Sequence, residues 1–301
     1  MAFQNIIGNE KNKELLKKAV ETKNLLHSYL FIGEEGIGKS LFATEFAQMV
    51  LCEDEEKKPC NHCKSCIQFM GESHPDFMVI EPEEGKAVKI EQIRFLQEKI
   101  AEKPVTSSKK VYIISNAETM TRESANALLK TLEEPPEYAI LILLTSNESK
   151  LLTTIKSRCT KIYFEKIPEE KILAYLKEKG LDTGITENML KNSEGSIGKA
   201  LKIEEEKEQY LQIEQLIQNL HKQDITQIWR QAEVLYSAKE NSISLLEYMT
   251  IVFYQLLKKK NQLCYERAIR VIEKTKQKIL ANANYDMSID FLLLRLWEEL
   301  N

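Results

Sequence analysis

A chain of 301 residues exceeds the usual span of one hydrophobic core, so two or three domains are expected. Hydrophobic residues make up 43% and charged residues 29%, which excludes a disordered chain, and no apolar run reaches the roughly 18–20 residues of a membrane helix. The net charge of −4, with no basic block, excludes a protein whose main task is gripping nucleic-acid phosphates, leaving any DNA contact local or shared.

The segment Met1 to Asn9 has no charged-then-apolar signal pattern, which points to the cytosol. From Glu10 to Thr22 the spacing predicts a helix with Leu15, Leu16 and Val20 on one face. Ser28 to Ile32 reads as a strand ending in a Gly-rich turn, and Lys39 to Leu51 as the helix that follows. Asp76 to Ile80, Val111 to Ser115 and Ile140 to Ser146 are compact apolar runs, the pattern of strands buried on both faces. Ile90 to Glu102 and Glu123 to Glu134 lie between them with helical period. The alternation predicts an α/β fold, a parallel sheet covered by helices, over residues 1–165. Pro168 suits the first turn of a new helix, and short helical patterns run to Glu206, a small second domain over 166–206. From Lys207 to Asn301 the pattern is helical throughout, with apolar residues Leu211, Leu216 and Leu220, then Ile251, Tyr254 and Leu257, as in a helical bundle. No fixed-period repeat occurs.

Gly33-Glu34-Glu35-Gly36-Ile37-Gly38-Lys39-Ser40 satisfies G-x-x-x-x-G-K-[ST] at every fixed position. Glycines let backbone N–H groups turn inward around phosphate oxygens, and the helix N-terminus adds positive potential. Lys39 would reach the β- and γ-phosphates and Ser40 would coordinate Mg²⁺, so ATP or ADP is the expected ligand. Hydrolysis also wants an Asp after a second strand and a neighbouring acid to orient water. After Val111–Ile114 come Ser115 and Asn116, neither a carboxylate, and Glu118 is expected to point elsewhere once the strand has ended. The expectation is nucleotide binding with weak or absent turnover.

Cys52, Cys60, Cys63 and Cys66 follow C-x7-C-x2-C-x2-C. Two-residue gaps let tight turns, suited by Pro59 and Asn61, aim successive thiolates at one centre, and Cys52 closes a tetrahedron. Four soft ligands with no open position predict structural Zn²⁺, with His62 and His74 as possible substitute ligands.

The phosphate loop, the cysteine cluster after its helix, the run Asn126 to Pro136 (NALLKTLEEPP) and Ser157-Arg158-Cys159 occur in that order. Together they resemble the clamp-loader branch of the AAA+ proteins, the bacterial DNA polymerase III clamp-loader subunits, most fully over the first 165 residues. The resemblance implies that Arg158 is an arginine finger, projecting into the ATP site of an adjacent subunit. It implies that Thr145 stands at the first sensor position, that 166–206 is a lid and that 207–301 is an oligomerising collar. It implies as partners the gamma/tau and delta subunits, with the sliding clamp and primer–template DNA reached through the complex. The helix Ser124 to Glu134 would line a DNA chamber. Ser115, Asn116 and the glycine in Gly195-Ser196-Ile197-Gly198-Lys199 depart from the motor subunits and are similar to the non-motor, delta-prime-type group. Within that group some members keep the phosphate loop and others do not, so nucleotide binding stays open. The alternatives are a gamma/tau-type ATPase motor and a stand-alone zinc-dependent nucleic-acid binder, the latter disfavoured by the acidic Glu53-Asp54-Glu55-Glu56 beside the cysteines.

Overall fold

The structure, a computed structural model, describes residues 3, 6–83 and 86–301. Met1, Ala2, Gln4 and Asn5 of the segment read above for a signal pattern lie outside the described residues. The chain divides into two compact units, Met1–Ile167 and Pro168–Asn301.

In the first unit, the described residues form a five-stranded parallel sheet of β1 (Ser28–Ile32), β2 (Phe77–Ile80), β3 (Lys110–Ile114), β4 (Ala139–Thr145) and β5 (Thr160–Tyr163). Its order is β2-β3-β4-β1-β5. Every residue of β1, β3 and β4 is buried, because alternate side chains enter different cores. Tyr29, Phe31, Val111, Ile113, Ile140 and Ile142 pack on one side with Leu16 and Val20 of α1 (Glu10–Glu21) and Phe42 and Phe46 of α2 (Lys39–Leu51). Leu30, Ile32, Tyr112, Ile114, Leu141 and Leu143 pack on the other; a short helix, α3 (Lys64–Met70), precedes β2. On that second side lie Ile93 and Leu96 of α4 (Ile90–Ala101), Leu128 and Leu132 of α5 (Arg122–Glu133) and Ile155 of α6 (Thr153–Lys156). The result is a three-layer sandwich, as the unbroken apolar runs predicted.

Three expectations about these elements need correction. β2, expected to be buried on both faces, is an edge strand in which only Ile80 is buried and Val79 is 39% exposed. Leu15 is 53% exposed, so the buried stripe of α1 runs through Lys13, Leu16 and Val20. β5 was not expected. It is an edge strand in which only Ile162 is buried, so it has no apolar run to betray it.

The second unit contains α7 (Glu169–Glu178), α8 (Glu187–Asn192), α9 (Ile197–Glu205), α10 (Lys207–Asn219), α11 (Ile225–Gln231), α12 (Glu233–Ser237), α13 (Ser242–Lys260), α14 (Leu263–Leu280) and α15 (Tyr285–Leu300). One buried cluster joins Ile213 and Leu216 of α10, Leu245, Met249 and Phe253 of α13, Ile272 of α14 and Leu293 and Leu296 of α15. Met189 of α8 and Ile203 of α9 belong to the same cluster. On α13 the expected face Ile251, Tyr254 and Leu257 is displaced: Met249, Val252 and Phe253 are buried, while Tyr254 is 47% exposed. Among the described residues, no helix is long and apolar enough to cross a membrane.

Candidate functional site

β1 lies between β4 and β5, and its C-terminal end runs directly into the phosphate loop. The Gly33 N–H donates to the Thr145 carbonyl across 3.2 Å, fixing the start of the loop to the end of β4. A Cβ on Gly33 would stand 2.8 Å from Phe164 Cβ, a separation that real Cβ atoms do not reach, so only glycine fits. Gly38, with φ 99°, adopts the left-handed conformation that starts α2. The first turn of α2 leaves the N–H groups of Lys39 and Ser40 without intrahelical partners, aimed out of the helix end.

Lys39 is 9% exposed, and its Nζ donates to the loop's own carbonyls, at 2.6 Å to Gly33 and 2.8 Å to Glu34. Burial lowers its pKa, while the carboxylates of Glu118, Glu35 and Glu34 act in the opposite direction. Ser40 is exposed at the helix start and Thr145 is fully buried, its hydroxyl accepting from the Asn147 N–H at 3.1 Å. A buried cation, a glycine turn and a free helix N-terminus fit a phosphate group. Any phosphate bound there takes Lys39 from the two carbonyls that now hold it.

After β3 the positions of interest carry Ser115, whose N–H donates to the Ile80 carbonyl at 2.8 Å, and Asn116, left-handed at φ 47°. Glu118 corrects the expectation made for it. The left-handed Asn116 and the 3₁₀ turn Ala117–Thr119 fold the chain back, so that Glu118 Oε1 accepts from the Ser146 N–H at 3.0 Å and from the Ser146 hydroxyl. Burial raises the Glu118 pKa, but these bonds outweigh it and hold the carboxyl below its ordinary value. Its charge is the foremost carboxylate influence on Lys39. An acid therefore does stand in the lysine's field, from a place where counting along an extended chain would never put it.

Arg158 follows α6 in the turn before β5. Its Nη1 donates to the Thr154 carbonyl at 2.9 Å and to the Ser157 hydroxyl at 3.3 Å. Its Nη2 pairs with Glu133 Oε1, at the C-terminus of α5, at 2.5 Å. The side chain is 33% exposed. Glu133 lay inside the quoted run but drew no reading from the sequence.

The thiols of Cys52, Cys60, Cys63 and Cys66 lie within 4.8 Å of one another, and these residues can hold a metal ion. Cys52 Sγ and Cys63 Sγ are 4.0 Å apart, and Cys60 Sγ and Cys66 Sγ 3.9 Å. A tetrahedron with metal–sulfur bonds of about 2.3 Å needs edges of about 3.8 Å. Backbone N–H groups already point at the sulfurs: Cys60 N at Cys52, Cys63 N at Cys60 and Cys66 N at Cys63, at 3.3–3.4 Å. Desolvation pushes the Cys60 thiol up, but backbone N–H groups at His62 and Cys63 and the neighbouring thiols bring it down to about 6. The Cys66 and Cys52 thiols are raised, with burial the largest cause in each case. A metal binding here would hold all four as thiolates, displacing the protons that burial keeps on Cys52 and Cys66. At 13 residues, α2 separates this cluster from the phosphate loop by about 20 Å, which removes it from any chemistry there.

Of the two histidines considered as substitutes, His62 is exposed and sits 3.9 Å from Asp54, and with Cys60 these two form an overlapping candidate set. His74 is engaged elsewhere. Its Nδ1 accepts from the Asp76 N–H at 3.0 Å, and its Nε2 lies 2.9 Å from Ser65 Oγ and 3.2 Å from Ser107 Oγ. Both hydroxyls donate to the Leu51 carbonyl at 2.7 Å, and the Asp76 carboxylate accepts from the N–H groups of Val105, Thr106 and Ser107. This buried network fastens the cysteine segment to the sheet. Burial lowers the His74 pKa from its ordinary 6.5, against the pull of Asp76 and Glu53. The unfolded chain therefore takes up a proton that the folded one refuses, and stability is expected to fall as pH drops below about 6.5. Urea midpoints measured from pH 7.5 to 5.5 check this: His74→Gln is expected to flatten the slope, and an unchanged slope would refute it.

A parallel sheet in the order β2-β3-β4-β1-β5, with a phosphate loop after β1 and helices on both faces, defines a AAA+ domain. A family model described as "DNA polymerase III, delta subunit" matches residues 8–168, more than half of the chain, and the chain belongs to that family. It is 34% identical over 190 residues to DNA polymerase III subunit delta' of Bacillus subtilis, covering 63% of this chain and 57% of that one. It is 36% identical over 177 residues to subunit tau of the same organism, covering 58% of this chain and 31% of that one. Against subunit delta' of Pseudomonas aeruginosa the identity is 40% over 135 residues, covering 44% and 41%. The chain thus spans less than two thirds of the length of these relatives. A gamma subunit-related protein from Thermotoga maritima shares the fold, with a TM-score of 0.56 at 19% identity, over 95% of this chain and 99% of that one.

Proposed function

We propose that this chain is a delta-prime-type, non-motor subunit of the DNA polymerase III clamp loader, which helps to load the sliding clamp onto primed DNA during replication. The observation that supports this most is the end of β3, where Ser115 and Asn116 replace the acids that hold Mg²⁺ and orient water. The reading gives Arg158 to the ATP site of an adjacent gamma/tau-type motor subunit. Gly33, Gly36, Gly38, Lys39 and Ser40 would hold ATP or ADP with Mg²⁺, Thr145 serving at the first sensor position. Cys52, Cys60, Cys63 and Cys66 would hold a structural Zn²⁺, which suits an all-thiolate tetrahedron. Residues 166–206 act as a lid and 207–301 as a collar joining delta and motor subunits, the break at Glu206 between α9 and α10 supporting that division. The site of action is the cytoplasm, and contact with DNA along α5 is slight, in keeping with the acidic net charge.

A second reading, an ATP-hydrolysing motor of the gamma/tau kind, draws on the complete phosphate loop and on Glu118 in the field of Lys39. The isolated chain separates the two. Turnover of ATP is expected at background level and unchanged by Lys39→Ala, since a general base contributes about 10²–10⁴ in rate and the two usual acids are missing. Robust turnover abolished by Lys39→Ala would overturn the non-motor reading.

A further inference from the structure

We propose that Glu133 is a positioning residue that keeps Arg158 in store, competing with the neighbour's triphosphate for the guanidinium. This rests on the reading of Arg158 as a group lent in trans. In the subunit by itself the guanidinium is held by three acceptors of its own chain: the Glu133 carboxylate at 2.5 Å, the Thr154 carbonyl at 2.9 Å and the Ser157 hydroxyl at 3.3 Å. A guanidinium closed on a carboxylate is a neutral pair, and it projects little of the field that stabilises charge developing on a transferred phosphoryl group. To act, Arg158 exchanges the single charge of Glu133 for the several charges of a triphosphate.

The position of Glu133 argues that the pair is more than incidental. It is the last residue of α5, where unsatisfied carbonyls and the negative end of the helix dipole disfavour a carboxylate. Lys130 lies in the same last turn, but Arg158 is the cation that bonds the Glu133 carboxylate. Both partners are accessible, Arg158 at 33% and Glu133 at 49%, so a docking subunit reaches the pair without unfolding anything. The pair also ties the C-terminus of α5 to the turn after α6, so displacing either helix changes how firmly the arginine is held. Partly exposed ion pairs are weak, which suits a hold that must yield.

The test is a reconstituted loader containing gamma/tau and delta subunits, with this chain as wild type, Glu133→Gln, Glu133→Ala, Arg158→Ala or the Glu133→Gln/Arg158→Ala double variant. Freed of its competitor, Arg158 is expected to raise ATP turnover without clamp or DNA by about two- to five-fold in both Glu133 variants. The fully stimulated rate stays within about two-fold, because there the triphosphate has already won the arginine. In the Arg158→Ala background, Glu133→Gln is expected to change nothing, which a merely structural role for Glu133 would not produce. Unstimulated turnover that is unchanged or lowered in both Glu133 variants, or an equal effect with and without Arg158, overturns the storage role alone. Wild-type rates from Arg158→Ala overturn the in-trans reading and the storage role with it.

Discussion

Replacing Arg158 by alanine is expected to lower clamp- and DNA-stimulated turnover at the neighbouring ATP site on the order of 10³-fold, the lower end for an arginine supplied in trans. That loss corresponds to about 4 kcal/mol of transition-state stabilisation. Most of it should fall on kcat, with a smaller loss of nucleotide affinity, because the guanidinium that leaves Glu133 for the triphosphate gains most from charge that develops as the phosphoryl group moves. Arg158→Lys is expected to recover a minor part: a point charge is kept, but the planar fork that spans two phosphate oxygens is lost. Assembly must be followed in parallel by size-exclusion chromatography. The side chain bonds to Thr154, Ser157 and Glu133 at the surface and supports no buried core, so the variant should fold and assemble. Unchanged turnover in an intact complex would refute the role.

Replacing Cys66 by serine is expected to strip the metal and destabilise the first unit by roughly 5 kcal/mol, less than the 10–16 kcal/mol by which zinc organises small peptides. Two features set that magnitude. Cys66 is fully buried, and a serine hydroxyl is too hard and too weakly acidic a ligand to replace the thiolate. The segment is also held without metal by Ser65, His74, Ser107 and Asp76, so it loosens but does not come free. For a unit of this size the change corresponds to a fall of about 10–20 °C in melting temperature. Metal analysis of protein purified without added zinc should give close to one zinc per wild-type chain and none for the variant. A wild-type content near zero, or a variant with full content and unchanged melting, would refute the assignment.

The sheet was legible because β1, β3 and β4 are covered on both faces, so their centres are apolar runs too short for helices and rich in β-branched and aromatic residues. β5 has one buried residue in four and gave no such signal. Its pairing with β1 depends on chain more than a hundred residues away. The convergence of the four cysteines follows from spacing, since a two-residue gap leaves a tight turn little choice. The placement of Glu118 does not. It depends on Asn116 entering the left-handed region, a choice asparagine permits but does not announce. The pairing of Glu133 with Arg158 was equally hidden, because each residue belongs to a run that says nothing of the other.

The central place of β1 bears on how the molecule is made. Its strand partners, β4 and β5, emerge from the ribosome more than a hundred residues after it, an interval of about 5–20 seconds at ordinary rates of synthesis. Through that interval Tyr29 to Ile32, an apolar segment with unpaired backbone on both edges, has no native sheet to join. It is the stretch of nascent chain where holding chaperones should bind, and where polypeptides stopped before Ala139 should begin to aggregate.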